Sequence, residues 1–191
     1  MGTNLTSILK SKDIQIQELY GKRLVIDAFN IIYQYLSSIR QRDGTPLKDS
    51  KGNVTSHLSG LFYRTIKLMQ NEIKLGFCFD GVSPKLKEEE ENRRKKRKKE
   101  ATRKYEIAVE KEDLELMKKY ASRTSKLTQE MIDESKELIH ALGLPVIQAP
   151  SEAEAQAAYM VMKGDFYGLI SQDTDSLLFG ASKLIKNLTL S

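Results

Sequence analysis

Residues 150–180 read PSEAEAQAAYMVMKGDFYGLISQDTDSLLFG and carry two pairs of acids at the same spacing, Glu152 with Glu154 and Asp173 with Asp175. Between the pairs lie a helix-like segment and a short apolar run, Tyr167 to Ile170, that reads as a strand. Acids delivered by one helix and one strand repel each other unless cations sit among them. Oxygen-only donor sets of this kind suit hard divalent ions such as Mg²⁺. The pattern points to a two-metal site for phosphodiester cleavage. The plainer reading is a helix cap followed by a solvated acidic loop. Ser151 with Glu154 fits a capping box, which accounts for Glu154 and leaves Glu152 unexplained. On a helix the two glutamates point about 200° apart, so they act together only by leaning over the helix end. An extended loop after the strand would put Asp173 and Asp175 on one side.

Upstream, the same logic recurs. Lys22 to Asp27 reads as a buried strand that closes on an acid, and Gly76 to Asp80 repeats the pattern before Gly81. Leu24, Val25 and Ile26 in a row suit a parallel sheet covered on both faces. Asp27 is then either a ligand at the carboxyl edge of the sheet or the N-cap of a helix over Ala28 to Ile39. Asp80 is either a ligand or the first residue of a turn. Cys78 reads as a small core residue. A second helix spans Thr55 to Glu72, with Leu58, Leu61, Phe62, Met69 and Ile73 as its apolar stripe and Arg64 and Lys67 off it, either solvated, as such residues more often are, or facing a phosphate. Between these helices, Arg40 to Asn53 is a polar loop with turn signals at Asp43-Gly44 and Lys51-Gly52-Asn53.

From Pro84 to Arg123 the composition changes. Glu88 to Glu91 is followed, after Asn92, by seven consecutive basic residues, Arg93 to Lys99. This reads as an excursion of one or two projecting helices that bury little. A run of adjacent cations is costly without an anion, so contact between Arg93, Lys95, Lys96, Arg97 and phosphates is preferred over a solvated helix or a nuclear-localisation tract. Thr128 to Leu142 is an amphipathic helix capped by Thr128 and stopped at Gly143 and Pro145. Val146-Ile147 and Lys183 to Ile185 are minimal strands.

The chain of 191 residues is 40% hydrophobic and 30% charged, with a net charge of +5, which suits a charge-rich globular protein with an anionic partner. Its single cysteine excludes an intrachain disulfide, and its two histidines form no zinc-binding cluster. No apolar run is long enough for a membrane span, and the N-terminus is too polar for a signal peptide. Strands alternating with helices give an α/β fold, a mostly parallel central sheet with helices on both faces and a projecting basic arch. The expected parts are 1–82 and 128–191 for the core and 83–127 for the arch. Right-handed crossovers bring Asp27, Asp80, Asp173 and Asp175 to one edge, beside Glu152 and Glu154.

Five motifs in order, VIDAFNIIYQYL, TSHLSGLFYRTI, CFDG, APSEAEAQAAY and SQDTDSLLFG, closely resemble the flap endonucleases, which share a wider group with the xeroderma pigmentosum group G nuclease. The wording DGTPLKDSKG is more archaeal than eukaryotic. The resemblance implies a PIN-like nuclease fold and cleavage of 5′ flaps and 5′ ends at DNA junctions, in replication and repair. It implies two divalent ions, Mg²⁺ with Mn²⁺ as a substitute, held by Asp27, Asp80, Glu152, Glu154, Asp173 and Asp175. It also implies that Lys87 and Arg94 stabilise the reacting phosphate, that Arg40, Arg64 and Glu152 face the DNA, and that Tyr33 stacks on a base. Gly2 falls in an N-terminus that the family places near the site, although Thr3-Asn4-Leu5 departs from the usual second glycine. The implied compartment is the cytoplasm for an archaeal-like protein and the nucleus for a eukaryotic one. The family runs on past this chain with a further aspartate ligand, a duplex-gripping helix–turn–helix and a sliding-clamp peptide. A truncated core with weakened metal and DNA binding is the expectation. Alternatives are a non-catalytic DNA-binding fragment and a PIN-type ribonuclease.

Overall fold

The computed structural model describes residues 9–84, 87–111, 113, 115–117, 120 and 124–188; Gly2 lies outside the described residues. Five strands form one sheet: β1 (Arg23–Asp27), β2 (Lys74–Phe79), β3 (Val146–Gln148), β4 (Gly168–Ile170) and β5 (Leu184–Ile185). Their order is β3-β2-β1-β4-β5, and every pairing is parallel. The strand order reverses direction between β1 and β4, where Ile26 pairs with Ile170. In a sheet of this kind the crevice beyond the carboxyl ends at that reversal is where ligands bind.

The strands are apolar because both faces of the sheet are covered. Val25, Cys78 and Leu169 pack against Ala153, Ala157, Met160 and Val161 of α5 (Ala153–Lys163). Alanines on the inner face of α5 let its backbone approach the strands. Leu24, Ile26, Phe77 and Phe79, on the other face, are buried too. Phe29, at the start of α1 (Ala28–Ser38), meets Phe79 edge-on with ring centroids 6.0 Å apart.

The chain divides into two compact units, residues 1–31, 62–82 and 138–191 in the first and 32–61 and 83–137 in the second. The first unit holds the sheet. The second contains the C-terminal part of α1, the loop at 40–54, the basic helix α3 (Glu88–Glu110) and most of α4 (Gln129–Ala141). The loop closes through the two expected turns: Asp43 accepts from the Thr45 N–H at 2.9 Å, and Asp49 accepts from the N–H groups of Lys51 and Asn53, each at 2.8 Å. Thr128 caps α4 through the Met131 N–H at 3.3 Å, as its position predicts. Along α3 the buried residues include the small Ala101 and Ala108, as expected for a helix this polar.

The apolar stripe expected on α2 (Ser56–Gln70) is rotated in the structure. His57, Gly60, Leu61, Thr65 and Leu68 are buried, whereas Phe62 and Met69 are exposed. The reason is Gly60. A Cβ there would collide with Cγ of Tyr35 and lie 2.5 Å from Cδ1 of Ile39, so the helix turns its glycine side toward α1. No described helix is long and apolar enough to cross a membrane.

Gly81 fixes the connection between β2 and the start of α5. Its N–H donates to the Ser151 carbonyl at 2.5 Å. A Cβ at residue 81 would collide with the Ala149 carbonyl oxygen and meet Pro150 at 2.7 Å, all backbone. Gly81→Ala should therefore cost roughly 1–3 kcal/mol as an overpacking change. Thermal denaturation should show a melting temperature lowered by several degrees; an unchanged midpoint would refute the close approach.

Candidate metal centre

Each acid reaches the carboxyl edge of the sheet by a different local device. Asp27 is the last residue of β1 and only 6% exposed. Its Oδ1 accepts from the Asn30 N–H at 3.2 Å, in the first turn of α1. The two readings of Asp27 are thus compatible: it caps a helix and it stands at the strand end.

Asp80 follows β2 and is exposed. Its Oδ1 accepts from the Ala153 N–H at 2.6 Å, at the first residue of α5, so the carboxylate sits on the positive end of that helix. Gln148 Nε2 donates to the Asp80 carbonyl at 2.6 Å and holds the strand end in place.

The capping box expected at Ser151 is not how α5 starts. The N-cap is Glu152, with φ −84 and ψ 130, and Ser151 Oγ donates instead to the Val82 carbonyl at 3.0 Å. Two partners distant in sequence meet this end of the helix instead: Val82 takes the Ser151 hydroxyl and Asp80 takes the Ala153 N–H. Glu154 lies in the first turn.

Asp173 and Asp175 also converge by a route other than an extended loop. The chain bends after β4, with the Asp173 N–H donating to Ser171 Oγ at 3.1 Å and the Asp175 N–H to Asp173 Oδ1 at 3.3 Å. Asp175 then opens the short helix α6 (Asp175–Leu178).

The result is a cluster. Carboxylate oxygens of Glu154, Asp173 and Asp175 all lie within 4.8 Å of one another. Asp27 carries the electrostatic imprint of its neighbours. Its pKa is pushed up to about 6, first by burial and further by the charges of Asp80 and Asp173, against the N–H bonds of Asn30 and Phe29 that favour the carboxylate. The nearby Cys78 thiol is pushed up to about 12 by burial and by the charges of Asp27 and Asp80, so it stays protonated and offers no thiolate. All the donors are therefore carboxylate oxygens. Such a set, short of positive charge, fits a hard divalent cation and not a soft one.

Arg64 is half-buried on the part of α2 that belongs to the sheet-bearing unit. Lys87, Arg93, Arg94, Lys95, Lys96 and Arg97 are exposed at the start of α3 and along it, in the second unit. That unit contains a cavity of about 640 Å³ lined by Tyr33, Arg94, Arg97, Lys98, Lys104 and Tyr120 among others, a basic pocket with two aromatic rings. Arg40 is bonded within the protein: Nε donates to the Ser37 carbonyl at 3.1 Å, Nη1 to the Gly44 carbonyl at 2.8 Å and Nη2 to Ser125 Oγ. Lys98 Nζ donates to the Ser125 carbonyl. Residues that local pattern did not single out complete the picture. Asn30, Gln148 and Ser171 brace the acids. His57, fully buried, lies 3.1 Å from Glu134 Oε2 and has its pKa lowered by burial, so it ties α2 to α4 within the second unit.

An all-parallel sheet with carboxylates gathered at its switch point defines an α/β protein with a divalent-cation site. Comparison with known proteins narrows this. Residues 1–101 match the XPG N-terminal domain and residues 143–191 the XPG I-region. The chain belongs to the XPG family of nucleases, alongside the flap endonucleases. It is 53% identical over 190 residues to flap endonuclease 1 of Pyrococcus horikoshii, covering 100% of this chain and 55% of that protein. The solved flap endonuclease-1 of Methanococcus jannaschii superposes with a TM-score of 0.75 at 44% identity, over 100% of this chain and 60% of that one. The catalytic core of Rad2 in complex with DNA substrate superposes with a TM-score of 0.67 at 32% identity, over 94% of this chain and 46% of that one. The chain thus spans about half the length of the curated relatives it matches.

The raised Asp27 sets a pH dependence. A carboxyl whose folded pKa lies above its ordinary value contributes stability below that ordinary value and loses it as pH rises through the folded pKa. For a shift from 3.8 to about 6, this is up to about 3 kcal/mol. In chelator-treated protein Asp27→Asn, which keeps the acceptor for Asn30, should be more stable than wild type at pH 7.5, with the advantage shrinking toward pH 4. Urea unfolding across that range measures it. A variant less stable at pH 7.5, or an advantage that grows on acidification, would contradict the burial-driven shift.

Proposed function

We propose that the protein is a metal-dependent, structure-specific DNA nuclease acting at 5′ flaps and 5′ ends of branched DNA, with Mg²⁺ as its ion and Mn²⁺ as a competent substitute. The observation that carries this is the convergence of Glu154, Asp173 and Asp175 within 4.8 Å, on the sheet where Asp27 ends β1 and Asp80 follows β2. Divalent ions bound there would supply Lewis-acid activation for phosphodiester hydrolysis.

The chain's own groups divide the remaining work. Asp27, Asp80, Glu152, Glu154, Asp173 and Asp175 are the ligand set. Positive charge near the buried Asp27 would offset the burial that raises its pKa to about 6. Lys87 and Arg94 are assigned to the reacting phosphate, one as a point charge and the other as a fork that can take two oxygens. Arg93, Lys95, Lys96 and Arg97 would follow the backbone of a single strand, and Tyr33 offers a face for a base. Arg64 and Arg40 are assigned to backbone contacts; Arg40 would then share its guanidinium with the bonds that hold Gly44 and Ser125. The Rad2 core in complex with DNA substrate supports DNA as the partner. A sliding clamp is a further proposed partner of the whole protein, and none of these residues is assigned to it.

Matched flap, blunt-duplex and RNA substrates titrated with Mg²⁺ test the proposal. Flap cleavage should require the ion, and Asp173→Ala should lower the rate by at least about 100-fold, the scale on which even supporting residues around a metal matter. RNA-only cleavage, or equal near-zero rates for both proteins, would contradict it. Neutralising Arg93, Lys95, Lys96 and Arg97 together should flatten the salt dependence of flap binding by about 0.7 in log–log slope for each phosphate no longer neutralised; an unchanged slope would remove the arch cations from the interface.

A further inference from the structure

We infer that Asn30 is a positioning residue that clamps the two acidic walls of the metal centre together, a role that rests on reading those acids as a cation site. Asn30 lies in the first turn of α1, where its main-chain N–H donates to Asp27 Oδ1 at 3.2 Å. Its side-chain Oδ1 turns the other way and accepts from the Gln172 N–H at 3.3 Å. Gln172 immediately precedes Asp173. A single residue therefore joins the end of β1, which carries Asp27, to the segment after β4, which carries Asp173 and Asp175.

The need for such a clamp follows from charge. The charge of Asp173 bears on the buried Asp27, and carboxylate oxygens of Asp173, Glu154 and Asp175 lie within 4.8 Å of one another. Without a cation, repulsion pushes the end of β1 and the segment after β4 apart. The sheet holds them only as far as the Ile26–Ile170 pairing, one residue before Asp27 and three before Asp173. Beyond that point the Asn30 amide oxygen ties the β4 loop back to α1, while Ser171 Oγ braces it from its own side. Partners outside the ligand set commonly set ligand orientation and therefore affinity.

Mn²⁺ affinity of the chain, read by paramagnetic relaxation enhancement, and hydrogen exchange at the Gln172 amide test this together. Asn30→Leu keeps the size of the side chain and removes the acceptor. It should weaken Mn²⁺ binding roughly tenfold, within the range seen when supporting residues are removed, and should speed exchange at Gln172. Asn30→Asp keeps the acceptor, so it should protect Gln172 as wild type does and bind Mn²⁺ at least as tightly. Wild-type affinity and exchange in Asn30→Leu would overturn the clamp. So would fast Gln172 exchange in Asn30→Asp, a variant that also guards against a simple folding defect in the leucine change. If the wild-type chain itself binds no Mn²⁺, the cation-site reading fails instead, and Gln172 exchange still reports on the bond.

Discussion

The Asp80 carboxylate accepts the first N–H of α5 at 2.6 Å, and the geometry of the acidic edge depends on this bond. It joins the end of β2 to the start of the helix that carries Glu154. It also places the Asp80 carboxylate at the positive end of that helix. Gly81 makes the approach possible, because only a residue without a side chain lets the 149–151 backbone come so close. From that approach the rest follows: α5 lays its alanines over Val25, Cys78 and Leu169 and brings Glu154 toward the β4 loop.

Like-charge convergence works against folding, and the fold meets it with several local devices. Asp27 is buried yet keeps N–H donors from the first turn of α1. Asp80 is offset by a helix N-terminus. Asp173 and Asp175 share a bent loop braced by Ser171. None of these removes the net negative charge; together they hold it in a fixed place. Strain of this kind at a site, compensated by packing elsewhere, is expected where a cation is to complete the structure.

Much of this was legible in the sequence. Strands β1 and β2 announced themselves as unbroken apolar runs ending in aspartate, because a sheet covered on both faces leaves no alternation to obscure them. The Thr128 cap and the two turns of the 40–54 loop were legible because their bonds join residues close together in the chain. What was not legible depended on partners far along it. Ser151 gives its hydroxyl to Val82, 69 residues away, and the Ala153 N–H goes to Asp80, 73 residues away. Gly60 rotated the buried face of α2 because Tyr35 and Ile39 wait opposite it. Arg40 is engaged by Ser125, and Asn30 looks like an ordinary helix-surface residue until Gln172 is placed beside it. The family motifs identified the acids as a set; the ways in which each is held came only from the structure.

Whether the six acids form a cation site at the switch point of the sheet is tested most directly by anomalous scattering from crystals of the chain grown with Mn²⁺. We expect anomalous peaks bounded by Glu154, Asp173 and Asp175 and by the Asp27–Asp80 side of the same edge. Crystals with millimolar Mn²⁺ and no peak within coordination distance of any of these carboxylates would contradict it.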